Sequence, residues 1–263
     1  MPVYSNPALA QSDTTEPAVR NISTADIFDA LGRGVSDFWR HPSHYLFLAL
    51  IYPAVGILLA AWSAGGATFP LLYPLATGFA LVGPLAAIGL YELSRRREQG
   101  EDDSPRHALG ILKHRAIGAI ILLGLMLAVV FTLWLTAANA IYEAHFATNQ
   151  PATLTALFSE VFTTSRGWSL LIWGNLVGLA FAFFVLATTA IAFPLLVDRG
   201  GSAGDAVAIS IRAFAKNPVQ MTIFGLGVAF VLFIASLPLF VGLAIALPML
   251  GHATWHLYRK LVV

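Results

Sequence analysis

Apolar and polar positions alternate between two patterns along this chain. In one, apolar residues recur on a single helical face over about four turns. In the other, apolar residues run on for about 20 positions, the length a helix needs to cross a bilayer. The first pattern opens at 26–40, where Ile27, Leu31, Val35 and Phe38 share a face and Trp39 lies beside them. Ser23 or Asp26 can cap that helix, Asp29 in its first turn suits the helix dipole, and Pro42 ends it. Lying in the headgroup layer, such a helix would insert Phe38 and Trp39.

The long apolar runs predict spans at 45–63, 69–93, 116–141 and 170–196. The second span contains Pro70, Pro74 and Pro84, so it should kink, and its neighbours must satisfy the carbonyls the prolines free. Ser104-Pro105 opens another short helix before the third span. After Pro151, the residues Leu154, Leu157, Phe158 and Val161 predict an interfacial helix on the opposite side of the membrane. Ser202 and Asp205 have the spacing of a capping box at the head of a helix ending near Lys216. The apolar stretch 219–258 would be about 60 Å long as one helix, twice the hydrocarbon thickness. Pro238 divides it into a fifth and a sixth span.

The segment 29–42, DALGRGVSDFWRHP, returns without a gap at 205–218 as DAVAISIRAFAKNP. A second echo lays 83–96, GPLAAIGLYELSRR, on 247–260, LPMLGHATWHLYRK. The reading is an all-α polytopic membrane bundle of six transmembrane helices, with amphipathic interfacial helices before spans 1, 3 and 5. Residues 1–22 form a disordered cytoplasmic tail. Residues 23–263 form one domain of three helix-plus-two-span units, 23–97, 104–197 and 202–260.

Composition agrees: 57% of residues are hydrophobic and 11% charged, where soluble domains carry roughly 25% charged. Net charge is +1, which gives no pull on nucleic acid, and cysteine is absent, which removes disulfides and thiol chemistry. Of the fifteen Lys and Arg, all but Arg166 fall on one side of the predicted spans. The positive-inside rule then places both termini in the cytoplasm.

Candidate chemistry is sparse. His252 and His256 share a face of the last span, where two such histidines can bind a metal or haem iron. The second echo aligns Glu92 with His256, so the two could meet if the spans pack. The ordinary reading of all three is buried hydrogen bonding or headgroup contact, and no cofactor is assigned. Arg95, Arg96, Arg97, Arg40 and Lys216 are headgroup or topology residues. Gly174 and Gly178 make a GxxxG pattern around Asn175, which suits close helix packing with a hydrogen bond across it. Zinc-protease HExxH, phosphate-binding GxxxxGK[ST], hydrolase GxSxG and dinucleotide GxGxxG motifs are absent, and the chain reads as non-enzymatic.

With the 29–42 motif and the segment 193–214, FPLLVDRGGSAGDAVAISIRAF, the chain resembles a family of alphaproteobacterial integral membrane proteins of unknown function. Some members of that family are labelled cytochrome c oxidase subunits. The resemblance implies a six-span inner-membrane protein linked to respiratory membranes, and it carries over no catalytic residue. The expected role is an accessory, assembly or interaction protein, in contact with the bilayer, other membrane proteins or its own copies. The rivals are a small-solute or lipid transporter, and a haem or metal protein using His252 and His256.

Overall fold

The computed structural model describes residues 17–40, 56, 71–148, 151, 153–238 and 242–263. The predicted first span at 45–63 lies outside them. Most of the described residues are helical. Helix α1 (Thr24–Arg40) begins at a reciprocal cap: Ser23 Oγ accepts the Asp26 N–H at 3.3 Å, and the Asp26 carboxylate accepts the Ser23 N–H at 2.8 Å.

Helix α2 (Leu72–Phe79), a 3₁₀ turn (Ala80–Val82), α3 (Gly83–Ala86) and α4 (Ile88–Glu98) form one interrupted span. Pro84 explains the interruption. It lacks an N–H and crowds the preceding turn, so the ladder restarts with the proline at the head of α3. A 3₁₀ segment (Pro105–Lys113) stands where a helix was expected before the third span. Helix α5 (Ile117–Phe146) is that span, five residues longer at its far end than the reading 116–141.

Helix α6 (Leu154–Thr163) is capped by Thr153, whose hydroxyl accepts the Ala156 N–H at 3.1 Å. The predicted fourth span is divided into α7 (Ser165–Thr189) and α8 (Ala192–Arg199). Pro194 removes the N–H that would bond the Ala190 carbonyl. At the break, the Ile191 N–H donates to Ser210 Oγ, 3.3 Å away. Helix α9 (Ala203–Lys216) starts at the expected box, Ser202 Oγ accepting the Asp205 N–H at 3.1 Å. Helices α10 (Pro218–Ser236) and α11 (Leu243–Leu261) flank the turn at Pro238.

Four stretches among the described residues are long and apolar enough to cross a membrane: Tyr73–Glu98, Ile117–Phe146, Ser165–Arg199 and Pro218–Ser236. Helix α11 is not among them, because its second half carries His252, His256, Arg259 and Lys260. Helix α5 shows how such a helix divides its surface. Ile120, Leu123, Leu127, Val130 and Trp134 are buried along one side, while Ile121, Leu122, Leu125, Val129 and Leu133 are exposed on the other. The first row packs on protein; the second has the character of a lipid-facing surface.

Trp134 is the knob of that contact. Its indole N–H donates to the Pro74 carbonyl at 2.8 Å. A Cβ on Gly78 would come within 2.6 Å of its ring, and one on Gly178 within 3.0 Å. Two glycines on two helices thus make the slot for one tryptophan.

Helix α1 buries Ile27, Ala30, Gly34 and Phe38. This stripe lies against protein rather than in the headgroup layer. Gly34 crosses α11, where a Cβ would lie 2.4 Å from the Met249 carbonyl oxygen. Phe38 packs with Leu90, Leu93 and Ala108. Trp39, beside it, stays 66% exposed. Helix α9 buries Ala203, Ala206, Ile209, Ser210 and Ala213, of which Ala203, Ala206 and Ser210 lie 176 positions after Ile27, Ala30 and Gly34.

Residues 18–22, assigned above to a disordered tail, are paired. The Arg20 N–H donates to the Leu261 carbonyl at 2.8 Å and the Val263 N–H to the Ala18 carbonyl at 3.0 Å. The Asn217 side chain closes this junction: its carbonyl accepts the Ile22 N–H and its amide donates to the Arg20 carbonyl, both at 2.9 Å. Residues 1–16 lie outside the described part.

Candidate functional site

At the basic end of the bundle the last turns of α4, α8 and α11 meet α1. Charged groups there are too close to the core for free hydration, so each must find a partner. Helix α4 brings Glu92, Ser94 and Arg95 to Glu98. Helix α11 brings His252 to Lys260, α1 brings Asp26, Asp29 and Asp37, and α8 brings Asp198.

Glu92 is the most enclosed carboxylate, its side chain 4% exposed, and both Arg95 and Arg96 donate to it at 2.8 Å. Arg96 also reaches Glu101 at 3.2 Å. Arg97 pairs with Asp103 at 2.9 Å and with Asp37 at 3.4 Å. Asp37 in turn lies 2.8 Å from His256 Nε2, so one carboxylate of α1 ties α4 to α11. His252 is fully buried, with Nδ1 2.5 Å from Ser94 Oγ.

On the neighbouring side, Tyr258 donates to Asp198 at 2.6 Å, and Arg259 reaches Asp198 at 3.3 Å and Glu98 at 3.1 Å. The Trp255 indole N–H donates to Glu98 at 3.1 Å. Lys260 lies 3.0 Å from Asp26 and 2.9 Å from Asp29. The Arg115 guanidinium donates to the Arg199 carbonyl. The arrangement is an ionic clamp. It holds four helix ends together across sequence separations of up to 234 residues.

His252 and His256 share the face of α11 that the spacing predicts, yet they serve different partners, Ser94 and Asp37. Glu92 does not meet His256; two adjacent arginines from its own helix claim it first. Among the described residues no group of three His, Asp or Glu could hold a metal. Arg95, Arg96 and Arg97 fold back onto carboxylates rather than pointing to headgroups. Arg40 closes α1 in an exposed position, and Lys216 donates to the Val19 carbonyl at 2.7 Å.

Gly178 faces Trp134, whereas Gly174 has open space at its Cβ position. Asn175 accepts the Tyr73 hydroxyl at 2.8 Å, a bond from α7 to α2. Substituting Tyr73→Phe should lower the stability of the detergent-solubilised protein by about 1 kcal/mol. Thermal unfolding of Asn175→Leu should show a similar loss, and the double variant little more than either alone.

Asp37, Ser94, Asp198 and Tyr258 were not singled out in the sequence. The available signal was only that acids accompany the basic clusters at the same predicted ends.

Charge on α1 makes its docking pH-dependent. Hydrogen bonds from Ser23, with Lys260 adding to them, pull the Asp26 carboxyl from its usual 3.8 to about 2. For Asp37, burial pushes upward, but the His256 hydrogen bond and the charges of His252, His256 and Arg97 outweigh it and lower the value. Lys260 is raised above its usual 10.5, chiefly by hydrogen bonds to Asp29 and Asp26. A lowered carboxyl stabilises the docked helix above the unfolded value and loses that contribution as pH falls through the folded one. A raised amine stabilises below its unfolded value and loses the contribution as pH rises past the folded one. Protection of α1 from proteolysis should therefore fall as pH drops from about 4 to 2, and fall again as pH rises above about 10.5. Lys260→Met should remove the alkaline limb.

The opposite end is simpler. Arg166 pairs with Glu160 at 2.7 Å and lies over the Phe146 ring, 4.7 Å from its centre. His145 Nε2 lies 2.9 Å from Ser169 Oγ.

The family model described as "Predicted integral membrane protein (DUF2189)" matches residues 71–198. No curated protein and no solved structure matches the chain. The match, just under half of the chain, runs from the head of α2 to Asp198. With four apolar helices of spanning length, it makes this an integral membrane protein. The clamp straddles the matched boundary. Glu92, Ser94 and Asp198 lie inside it, while Asp37, His252 and His256 lie outside.

Proposed function

We propose that the chain is a non-enzymatic inner-membrane protein, with both ends in the cytoplasm, that serves as an accessory, assembly or interaction partner of other membrane proteins. The observation that carries this reading is the clamp. Its carboxylates and cations are spent on one another across four elements, which fixes helix positions. Acid–base catalysis and ion translocation require groups that exchange partners during a cycle. A fixed cap suits a protein that presents a shaped surface.

Cytoplasmic placement is supported by the fourteen Lys and Arg on one side of the predicted spans. The pairing of residues 18–22 with 261–263 favours an even number of crossings, as six spans require. Three of the four buried positions of α1 recur at the same spacing among the five of α9, which favours a repeated unit. A link to respiratory membranes rests on the family resemblance alone.

The test is affinity purification of the tagged full chain from native membranes in mild detergent, with mass spectrometry and an absorption spectrum. A reproducible membrane-protein partner supports the proposal. No partner, with an unchanged membrane proteome on deletion, overturns it. A haem band in the spectrum would move the assignment to the histidine pair. Transport is the second reading, favoured by the two interrupted spans, since broken helices line many transporter sites. Solute flux into vesicles containing the protein would bring it forward.

A further inference from the structure

Two exposed apolar groups flank one buried cluster at the basic end. Phe38 of α1 and Ala108 of the 3₁₀ segment are buried together with Leu90 and Leu93. The next residue of each element faces outward: Trp39 is 66% exposed and Leu109 65%, with Leu112 at 67% one turn on. Water would penalise this grouping, and tryptophan at such a level is typical of a membrane boundary. The 3₁₀ segment joins the stretches Tyr73–Glu98 and Ile117–Phe146, so its height is set by the ends of two apolar helices.

Each element also ends in an exposed cation, Arg40 for α1 and Lys113 for the 3₁₀ segment. Neither makes an ion pair among the described residues, in contrast to the neighbouring Arg95, Arg96 and Arg97. Their stems can run along apolar surface and lift the charge to phosphate level.

We infer that Trp39, Leu109 and Leu112, with Arg40 and Lys113, form a collar that binds the headgroups of anionic phospholipids at the membrane boundary. This rests on the reading that α4 and α5 belong to membrane spans. The apolar side chains enter the interface and the two cations select anionic over zwitterionic lipid. The arginine triplet is consumed by the clamp and takes no part.

The test uses the full chain in vesicles of phosphatidylcholine and phosphatidylglycerol in which one lipid carries bromine. Trp39 quenching is taken as the difference between wild type and Trp39→Phe. Bromines placed shallow in the acyl chain should quench Trp39 more than bromines near its end. Brominated phosphatidylglycerol should quench more than brominated phosphatidylcholine, and Arg40→Gln with Lys113→Gln should reduce that preference by roughly 5-fold per charge removed. Trp168 and Trp173, exposed on α7, report insertion independently. If they are quenched and Trp39 is not, or if the preference survives both substitutions, the collar is wrong while the membrane reading stands. If no tryptophan is quenched, the membrane reading itself fails.

Discussion

Gly34→Val should release α1 from the bundle. The glycine sits where α1 crosses α11, and a Cβ there would meet the Met249 carbonyl oxygen at 2.4 Å, the Ala253 nitrogen at 2.7 Å and the Ala253 Cβ at 2.8 Å. Two of these are backbone atoms of a helix, which no rotamer change can move. The helices must separate, and with them the Asp37–His256 and Lys260–Asp26 contacts. Overpacking of this kind costs about 1–3 kcal/mol, and here the lost ion pairs add to it. Limited proteolysis should show α1 cleaved several-fold faster, with a lower unfolding temperature. Gly32→Ala is the control, because its Cβ position is open space. That change should leave docking intact and gain up to about 1 kcal/mol of helix propensity. Equal behaviour of the two variants would mean that α1 does not pack on α11.

Helix boundaries set by local chemistry were legible in the sequence. The Ser202–Asp205 box, the start of α6 after Pro151 and the turn at Pro238 depend on residues within four positions of one another. The apolar runs behind the four candidate spans were equally plain. What covers a helix was not legible. The stripe Ile27, Leu31, Val35, Phe38 reads the same whether lipid or protein will bury it. The decision lies with Gly34 and with a facing surface more than 200 residues away. The buried set in fact includes Gly34 in place of Val35, a rotation of the stripe toward the smallest side chain on that side. Helix-to-helix contact at backbone distance requires that rotation.

The candidate site was half legible for a related reason. That Glu92 and His256 occupy corresponding places in their helices followed from the echo between 83–96 and 247–260. Their partners did not, because pairing is a competition. Glu92 has two arginines within one turn of its own helix, so its anion is satisfied before α11 arrives. His256 then takes Asp37, which periodicity placed only as a polar residue beside Phe38. The break at 190–191 was hidden by strong apolarity on both sides, although Pro194 marked it.

Glu92→Ala should be among the most damaging single substitutions in the clamp. The glutamate is 3% exposed and shares its two carboxylate oxygens between Arg95 and Arg96, which are 19% and 23% exposed. Removing it leaves two guanidinium groups near each other with their shared anion gone. Breaking a buried pair from one side costs about 3–5 kcal/mol, and partial access of the arginines to water favours the lower end. Glu92→Gln keeps the shape and one acceptor, so it should cost about 1–3 kcal/mol. Replacing Glu92, Arg95 and Arg96 together by leucine removes every charge at once and should recover much of the loss, since an apolar replacement escapes the desolvation cost. Thermal unfolding in a single detergent orders the three variants. An alanine variant as stable as wild type would show that the arginines find other partners and that the clamp does not hold the basic end together. A triple variant less stable than the single one would instead assign the arginines a second task, with Glu101 as the nearest candidate partner, 3.2 Å from Arg96.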